Sequence, residues 1–209
     1  VCLKKSSDPL PISVVVTLQE SRQEFFCAKG MPSIVANRPA EIIVELGPGG
    51  ASEKRNRGRR KATRPFLFFC DDDIVLKQDT LRRLHDAIKD DPELGVAYGH
   101  YRKVVHAKEY SKAKDGKIIK AGPFDWKHLG EHNSISVMSL IRSCAFSGWD
   151  EHLRSFIDWD CWLTMLRENW RGVMVDDVLF DAHYLDQGIS VQDYGPVSAA
   201  YIRKKHGLR

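Results

Sequence analysis

Between Pro65 and Leu76 the chain reads P-F-L-F-F-C-D-D-D-I-V-L, an uncharged apolar run that stops at three consecutive carboxylates. A run of that length, rich in Phe and closed by charge, predicts a buried strand that delivers its end to a loop. In open α/β sheets ligands gather outside the carboxyl ends of the strands, where Asp71, Asp72 and Asp73 would then lie. Three adjacent anions repel one another unless something positive is shared. A hard divalent cation, which keeps several waters and takes a carboxylate or two plus phosphate oxygens, would meet that need. An acidic turn capping a helix at Asp79-Thr80-Leu81 is the plainer alternative.

Around this run the pattern alternates between strand and helix. Ile12 to Leu18 (I-S-V-V-V-T-L) is a β-branched first strand, and Glu41 to Leu46 (E-I-I-V-E-L) a second. Between them Ser21 and Glu24 have the spacing of a capping box, Gly30 and Pro32 predict a kink, and Pro39 closes the segment. Ser52 to Thr63 reads as a polar, basic surface helix, and Pro65 opens the third strand. Leu81, Leu84, Ala87 and Ile88 fall at helical spacing until Asp91-Pro92. Such an order predicts right-handed β-α-β units and a parallel sheet.

Leu94 to Val105 alternates as a strand would, Lys108 to Gly130 predicts a loop or hairpin insertion, and Ser136 to Ile141 another strand. Phe156 opens a helix on which Trp159, Trp162, Leu163, Leu166 and Trp170 share one face, ended by Gly172. Val173 to Phe180 is a late strand followed by His183, and Gly195-Pro196 introduces a last helix closed near Gly207.

At 209 residues the chain fits one domain with a sizeable core. No apolar stretch approaches the ~20 residues that span a bilayer, and the first residues lack the order of a signal peptide. The expectation is a soluble, cytoplasmic protein. Its five cysteines (Cys2, Cys27, Cys70, Cys144, Cys161) include no C-x-x-C pair, so they are expected reduced and mostly buried. Lys54 to Arg64 carries seven basic residues, and a thinner basic run covers Lys103 to Lys120. These fit a solvated face, phosphate binding or peripheral contact with an anionic membrane. Without an accompanying nucleic-acid motif, nucleic acid is not an expected partner.

A second acidic feature, Asp158-x-Asp160, stands at a helix start far downstream of the triplet. With both in view, the stretch from Ile12 through Asp160 resembles the family-two inverting glycosyltransferases of the nucleotide-diphospho-sugar transferase (GT-A) fold. The pieces are V-V-V-T-L, E-I-I-V-E-L, K-R-N-R-G, F-L-F-F-C-D-D-D as the D-x-D motif, and G-W-D-E followed by D-W-D-C-W-L. His183, the G-I-S of Gly188 to Ser190, and Y-I-R-K-K-H-G from Tyr201 to Gly207 extend the likeness over nearly the whole chain. It implies an α/β fold with a Rossmann-like, mostly parallel central sheet flanked by helices and a smaller antiparallel portion on the acceptor side. A single domain over 1–209 would divide into a nucleotide-sugar half to about 105 and an acceptor and catalytic half from about 106.

The resemblance also implies roles. Asp73 would bind Mn²⁺ or Mg²⁺ with His183 as a further ligand, Asp71 the ribose, with Asp72 assisting. Arg55 would meet the diphosphate, while Thr17, Glu20 and Glu45 line the nucleotide pocket. Where the family has D-D-G-S this chain has Glu45-Leu46-Gly47-Pro48, so a UDP-sugar is only the family's default donor. Trp149 and Asp150 match the acceptor loop, Trp149 serving as a sugar platform or as core packing. Asp158 matches the base that deprotonates a glycan, lipid-linked or protein hydroxyl; a helix cap is its plain alternative, and Asp160 its rival. The function so implied is metal-dependent transfer of a hexose-type sugar. A sugar-phosphate nucleotidylyltransferase or a non-catalytic nucleotide-sugar module are the alternatives, the former without its Gly-rich, Arg-containing loop here.

Overall fold

A computed structural model describes residues 8–106, 114–185 and 195–208, so the G-I-S segment and Cys2 lie outside the described residues. Strand β1 (Leu10–Thr17) leads into a broken helical stretch: a 3-10 turn at Glu20–Arg22, α1 (Gln23–Phe25), a π turn at Phe26–Gly30 and α2 (Met31–Ala36). Next come β2 (Pro39–Glu45), α3 (Ala51–Lys61), β3 (Phe66–Asp71), β4 (Ile74–Leu76), α4 (Thr80–Ile88) and β5 (Leu94–Val105). The second half holds β6 (Ile118–Ile119), α5 (Trp126–Leu129), β7 (Leu140–Arg142), α6 (Ile157–Arg167), β8 (Arg171–Tyr184) and α7 (Gly195–His206).

The strands form one sheet in the order β2-β1-β3-β7-β5-β8-β4, with β6 paired to β5. The long pairings, β1 with β2 and β3 and β5 with β8, are parallel. Short β7 joins the two parallel groups antiparallel to both β3 and β5, and β4 runs antiparallel to β8. This mixed α/β sheet flanked by helices is the GT-A arrangement. The register sets Thr17 beside Glu45 on one side and Asp71 on the other, so three strands end together.

Central β3 is apolar because both its faces are covered: Leu67, Phe68, Phe69 and Cys70 are fully buried. Each large side chain so buried contributes about 1.5–3 kcal/mol. The apolar run does not continue as one strand. Asp72 and Asp73 form a turn, and Ile74–Leu76 re-enters the sheet against β8. Helix α4 lays Leu81, Leu84 and Ile88 on the core, as their spacing predicts.

Several local expectations change. Ser21 and Glu24 form no capping box, because the segment starts as a 3-10 turn with no side-chain cap. Pro39 opens β2; what ends α2 is buried Asn37, whose amide bonds Ser33 O and Lys77 O, followed by Arg38 at φ 58°. Of Ser136 to Ile141 only the end pairs, as β7. Helix α6 ends at Arg167, before Asn169 at φ 64°, which leaves Trp170 beyond the helix; Gly172 lies in β8, where a Cβ would come 2.5 Å from Phe124. His183 lies inside β8 rather than after it. Of the four described cysteines only Cys70 and Cys161 are buried, while Cys27 and Cys144 are exposed.

Helix α3 is not a merely solvated face. It seats on β1 through Gly58, where a Cβ would come 2.3 Å from Val15 Cγ1 and 3.2 Å from Glu45 Cγ. Two effects oppose each other in Gly58→Ala: helix propensity favours Ala by about 1 kcal/mol, and overpacking a filled core costs about 1–3 kcal/mol. Val15 is fully buried in the central sheet and cannot withdraw, so the clash wins. Gly58→Ala should lower the unfolding free energy by about 1 kcal/mol in a denaturant titration, whereas a gain would show that α3 can ride away from the sheet.

Candidate active site

The carboxyl ends of β1 and β3, the N-terminal turn of α3 and the end of β8 enclose a cleft of about 500 Å³. That volume is ordinary for a small-molecule site. Thr17, Arg22, Lys54, Arg55, all three residues of the acidic triplet, Tyr101, Ser136 and His183 are among its walls.

The triplet is held by cations from two elements. Asp71, ending β3, accepts a hydrogen bond from Thr17 Oγ1 at 3.3 Å and is ion-paired with Arg55 Nη2. Asp72 turns inward and is buried: it accepts Gln19 N–H at 2.7 Å and Arg22 Nη1 at 3.0 Å. Asp73 faces the same Arg22 Nη1 at 2.8 Å. Removal from water, then the charge of Asp71, push the Asp73 carboxyl up to about 7 even with Arg22 beside it. Three carboxylates thus share two guanidiniums, Asp72 and Asp73 dividing one between them.

His183 reaches Asp73 through the β4–β8 pairing, its backbone N–H donating to Asp73 O at 2.9 Å. Its ring stacks on His106, with Nδ1 2.8 Å from His106 Nε2, and leans on Phe25. Asp73 and His183, the metal ligands that the resemblance implies, both line the cleft, and among the described residues no three His, Cys, Asp or Glu groups come together as a metal site.

Arg55, one of the basic run, is buried, lies 5.7 Å over the ring of Trp149, and its Nε has no hydrogen-bond partner among the described residues. Asp158, on the first turn of α6, accepts the Asn133 amide at 3.0 Å and Trp159 N–H at 2.9 Å, both on Oδ1. Burial pushes its carboxyl up, against the pull of those two bonds and the charge of Arg55. It does not cap the helix. Phe156 occupies that position at φ 58°, with no side-chain bond.

Other expected residues stand elsewhere. Glu45 is buried and turned onto α3, paired with Lys61 at 2.6 Å and Arg57 at 3.4 Å, so it is not among the cleft walls. Glu20 is exposed outside the cleft. Trp149 is core rather than platform, packed edge-on against Phe69, Phe146 and Trp162. Asp150 and Asp160 share one cation: Lys205 Nζ lies 2.8 Å from each, and His206 Nε2 is 2.8 Å from the other oxygen of Asp160. They bind α7 to the first turn of α6.

Gln19, Ser136 and Asn133 carry no sequence signal of their own, while Lys54 belongs to the basic run. A weak one existed for Arg22, since three carboxylates demand a counter-charge from an element nearby.

A model of glycosyl transferase family 2 matches residues 33–148, more than half of the chain. Solved structures of S. aureus TarS 1-349 are similar in fold. The complex with UDP-GlcNAc superposes with TM-score 0.64 at 14% identity, over 88% of this chain and 62% of that one. The structure without a named ligand gives 0.61 at 14% identity, covering 83% and 60%, and the UDP complex 0.56 at 16%, covering 84% and 61%. This chain therefore spans about three fifths of their length. No curated protein sequence matches it significantly.

The carboxylate network around α7 makes a pH prediction. Burial works to raise the Asp150 carboxyl, but Lys205 and the N–H and ring of His152 outweigh it and hold it down at about 2. A depressed carboxyl lends stability that is whole above its ordinary pKa near 4 and is lost as pH falls through the folded value. Melting curves of wild type and Asp150→Asn should differ most above pH ~5 and converge between about pH 4 and about pH 2. A gap that persists unchanged into acid would place the stabilisation elsewhere.

Proposed function

The chain belongs to glycosyl transferase family 2, and from that premise we propose that it transfers a sugar from a nucleoside-diphosphate donor, a UDP-sugar, to an acceptor hydroxyl with inversion. The observation that carries the reading is the convergence of Asp71, Asp73, Arg55 and His183 on one cleft, with Asp158 within electrostatic reach of Arg55. The complexes of TarS with UDP and UDP-GlcNAc make uridine the donor to test first.

The donor residues divide the work by charge. Asp71 accepts from the ribose hydroxyls while Arg55, its ion-pair partner, presents a guanidinium to the diphosphate. Lys54 and Ala51, on the first turn of α3, line the same wall, where the helix N-terminus and the lysine favour an anion. Asp72 acts from inside, holding the turn that carries Arg22 against the triplet.

Asp73 and His183 would hold a divalent cation. One carboxylate and one imidazole suit Mn²⁺ or Mg²⁺ that takes its remaining ligands from water and the donor phosphates, and three carboxylates sharing two guanidiniums fit such an ion. When bound, it would offset charge developing on the departing diphosphate. The His106 contact fixes the ring orientation of His183.

Asp158 acts as the base. Burial pushes its carboxyl up from the ordinary aspartate range, while its two hydrogen bonds and Arg55 favour the charged form that a base needs. An acceptor hydroxyl that loses its proton to Asp158 as it attacks gains about 10²–10⁴-fold. Asp160 is committed to Lys205 and His206, so Asp158 is the better candidate of the pair.

Transfer from UDP-sugars should fall about 10²–10⁴-fold in Asp158→Asn while the thermal shift produced by UDP with Mn²⁺ is retained. Activity near wild type would remove Asp158 as the base. Loss of the thermal shift together with activity would mean that the substitution damages the donor site instead.

A further inference from the structure

The stretch between α5 and β7 gives the base something its own helix does not. Residues 130–139 contain no regular element. They are nevertheless stitched to α6 and to themselves. Trp159 Nε1 donates to Leu129 O, and Trp162 Nε1 donates to Ile135 O at 2.9 Å. Ser134 Oγ accepts Gly122 N–H at 3.2 Å and lies 2.7 Å from His128 Nε2. Asn133 sits between these anchors with its amide 3.0 Å from Asp158 Oδ1, while Ser136 and Met138, a few residues on, line the cleft.

The two indoles follow Asp158 by one and four positions on α6, so the helix that carries the base also fixes the loop that carries its hydrogen-bond donor. We propose that Asn133 is a positioning residue for the base: by engaging Oδ1 of Asp158 it presents Oδ2 as the oxygen that takes the acceptor proton. The proposal rests on Asp158 being the base. Among the described residues both hydrogen bonds to this carboxylate fall on Oδ1. Without Asn133, Trp159 N–H alone would hold Oδ1, and a base that must meet a hydroxyl in line loses rate with every misoriented rotamer.

Stability does not account for this contact. Asn133 is exposed, and surface substitutions of that kind usually change stability by only about ±0.5 kcal/mol. Its effect on the base has a sign. A hydrogen bond to the charged form favours ionisation, so its loss lets burial push the carboxyl further up. The other groups that face Asp158 are Arg55 from α3, Tyr101 from β5 and Cys161 on α6 itself. Burial pushes the Tyr101 phenol and the Cys161 thiol well up, so neither titrates on the acid side of neutrality.

The test is the pH dependence of kcat in Asn133→Ala and Asn133→Asp, measured on the full chain with UDP-sugar at saturating Mn²⁺, which holds the metal ligands ionised. In Asn133→Ala, kcat near pH 7 should fall about tenfold, the scale of one hydrogen bond to a charged group, with donor KM and melting temperature unchanged. The acidic limb should move to higher pH, with part of the lost rate regained in alkali. Asn133→Asp sets a second carboxylate beside the first and should move the limb further. An unchanged profile in both variants, or a uniform drop without displacement of the limb, overturns the proposal while leaving Asp158 as the base if Asp158→Asn is inactive. An active Asp158→Asn removes the base and this inference together.

Discussion

Three carboxylates at the end of one strand are tolerable only because counter-charge arrives from two directions, Arg22 behind β1 and Arg55 on α3. Everything that positions the site follows from supplying those two cations. Arg22 can reach the triplet because the chain leaves β1 in a tight 3-10 turn, and that turn is tied back by Gln19 N–H on Asp72. Arg55 can reach it because Gly58 lets α3 lie directly on Val15. Loop, helix and strand are therefore adjusted to one electrostatic requirement, and the cleft is the space left between them.

The same requirement explains why buried acidic residues here read so differently from one another. Glu45, Asp150 and Asp160 are carboxylates like Asp71 and Asp73, but Glu45 has both Lys61 and Arg57 of α3, and Asp150 and Asp160, which share Lys205 of α7, each have a histidine besides, His152 and His206. They act as ties. Asp73 shares its arginine with Asp72, and Asp158 has only amide donors in hydrogen-bond contact, with Arg55 acting at longer range. Fewer close cations set Asp73 and Asp158 apart from the carboxylates that tie two elements together.

That distinction also marks the limit of what could be read from the chain. The strands β1 and β3, the split of the fold into alternating units, and α6 with its aromatic face follow from local periodicity, which depends on neighbours within a few residues. The acidic triplet stood out as the abrupt end of its apolar run, and Asp158 through the family resemblance. Which carboxylates were already spoken for did not, since Asp150 meets its cation 55 positions later and Asp160 45 positions later. Trp149 read equally as a sugar platform or as core because exposure is not written in the residue, and Phe69 and Trp162 cover it. Arg22 and Asn133 are single polar residues without periodicity, visible only when folding brings them to a partner.

The bond of Lys205 to two carboxylates on separate elements has a consequence for how the molecule is made. During synthesis Asp160 emerges first and waits for 45 more residues before Lys205 and then His206 can join it. At roughly 5–20 residues per second that interval lasts a few seconds. The sheet can close within it, since β1, β2, β3, β5 and β7 all precede α6 in the chain. Asp160 on α6 meets Lys205 and His206 only afterwards, so the order of translation lets the earlier strands pair before α7 is tied to the start of α6.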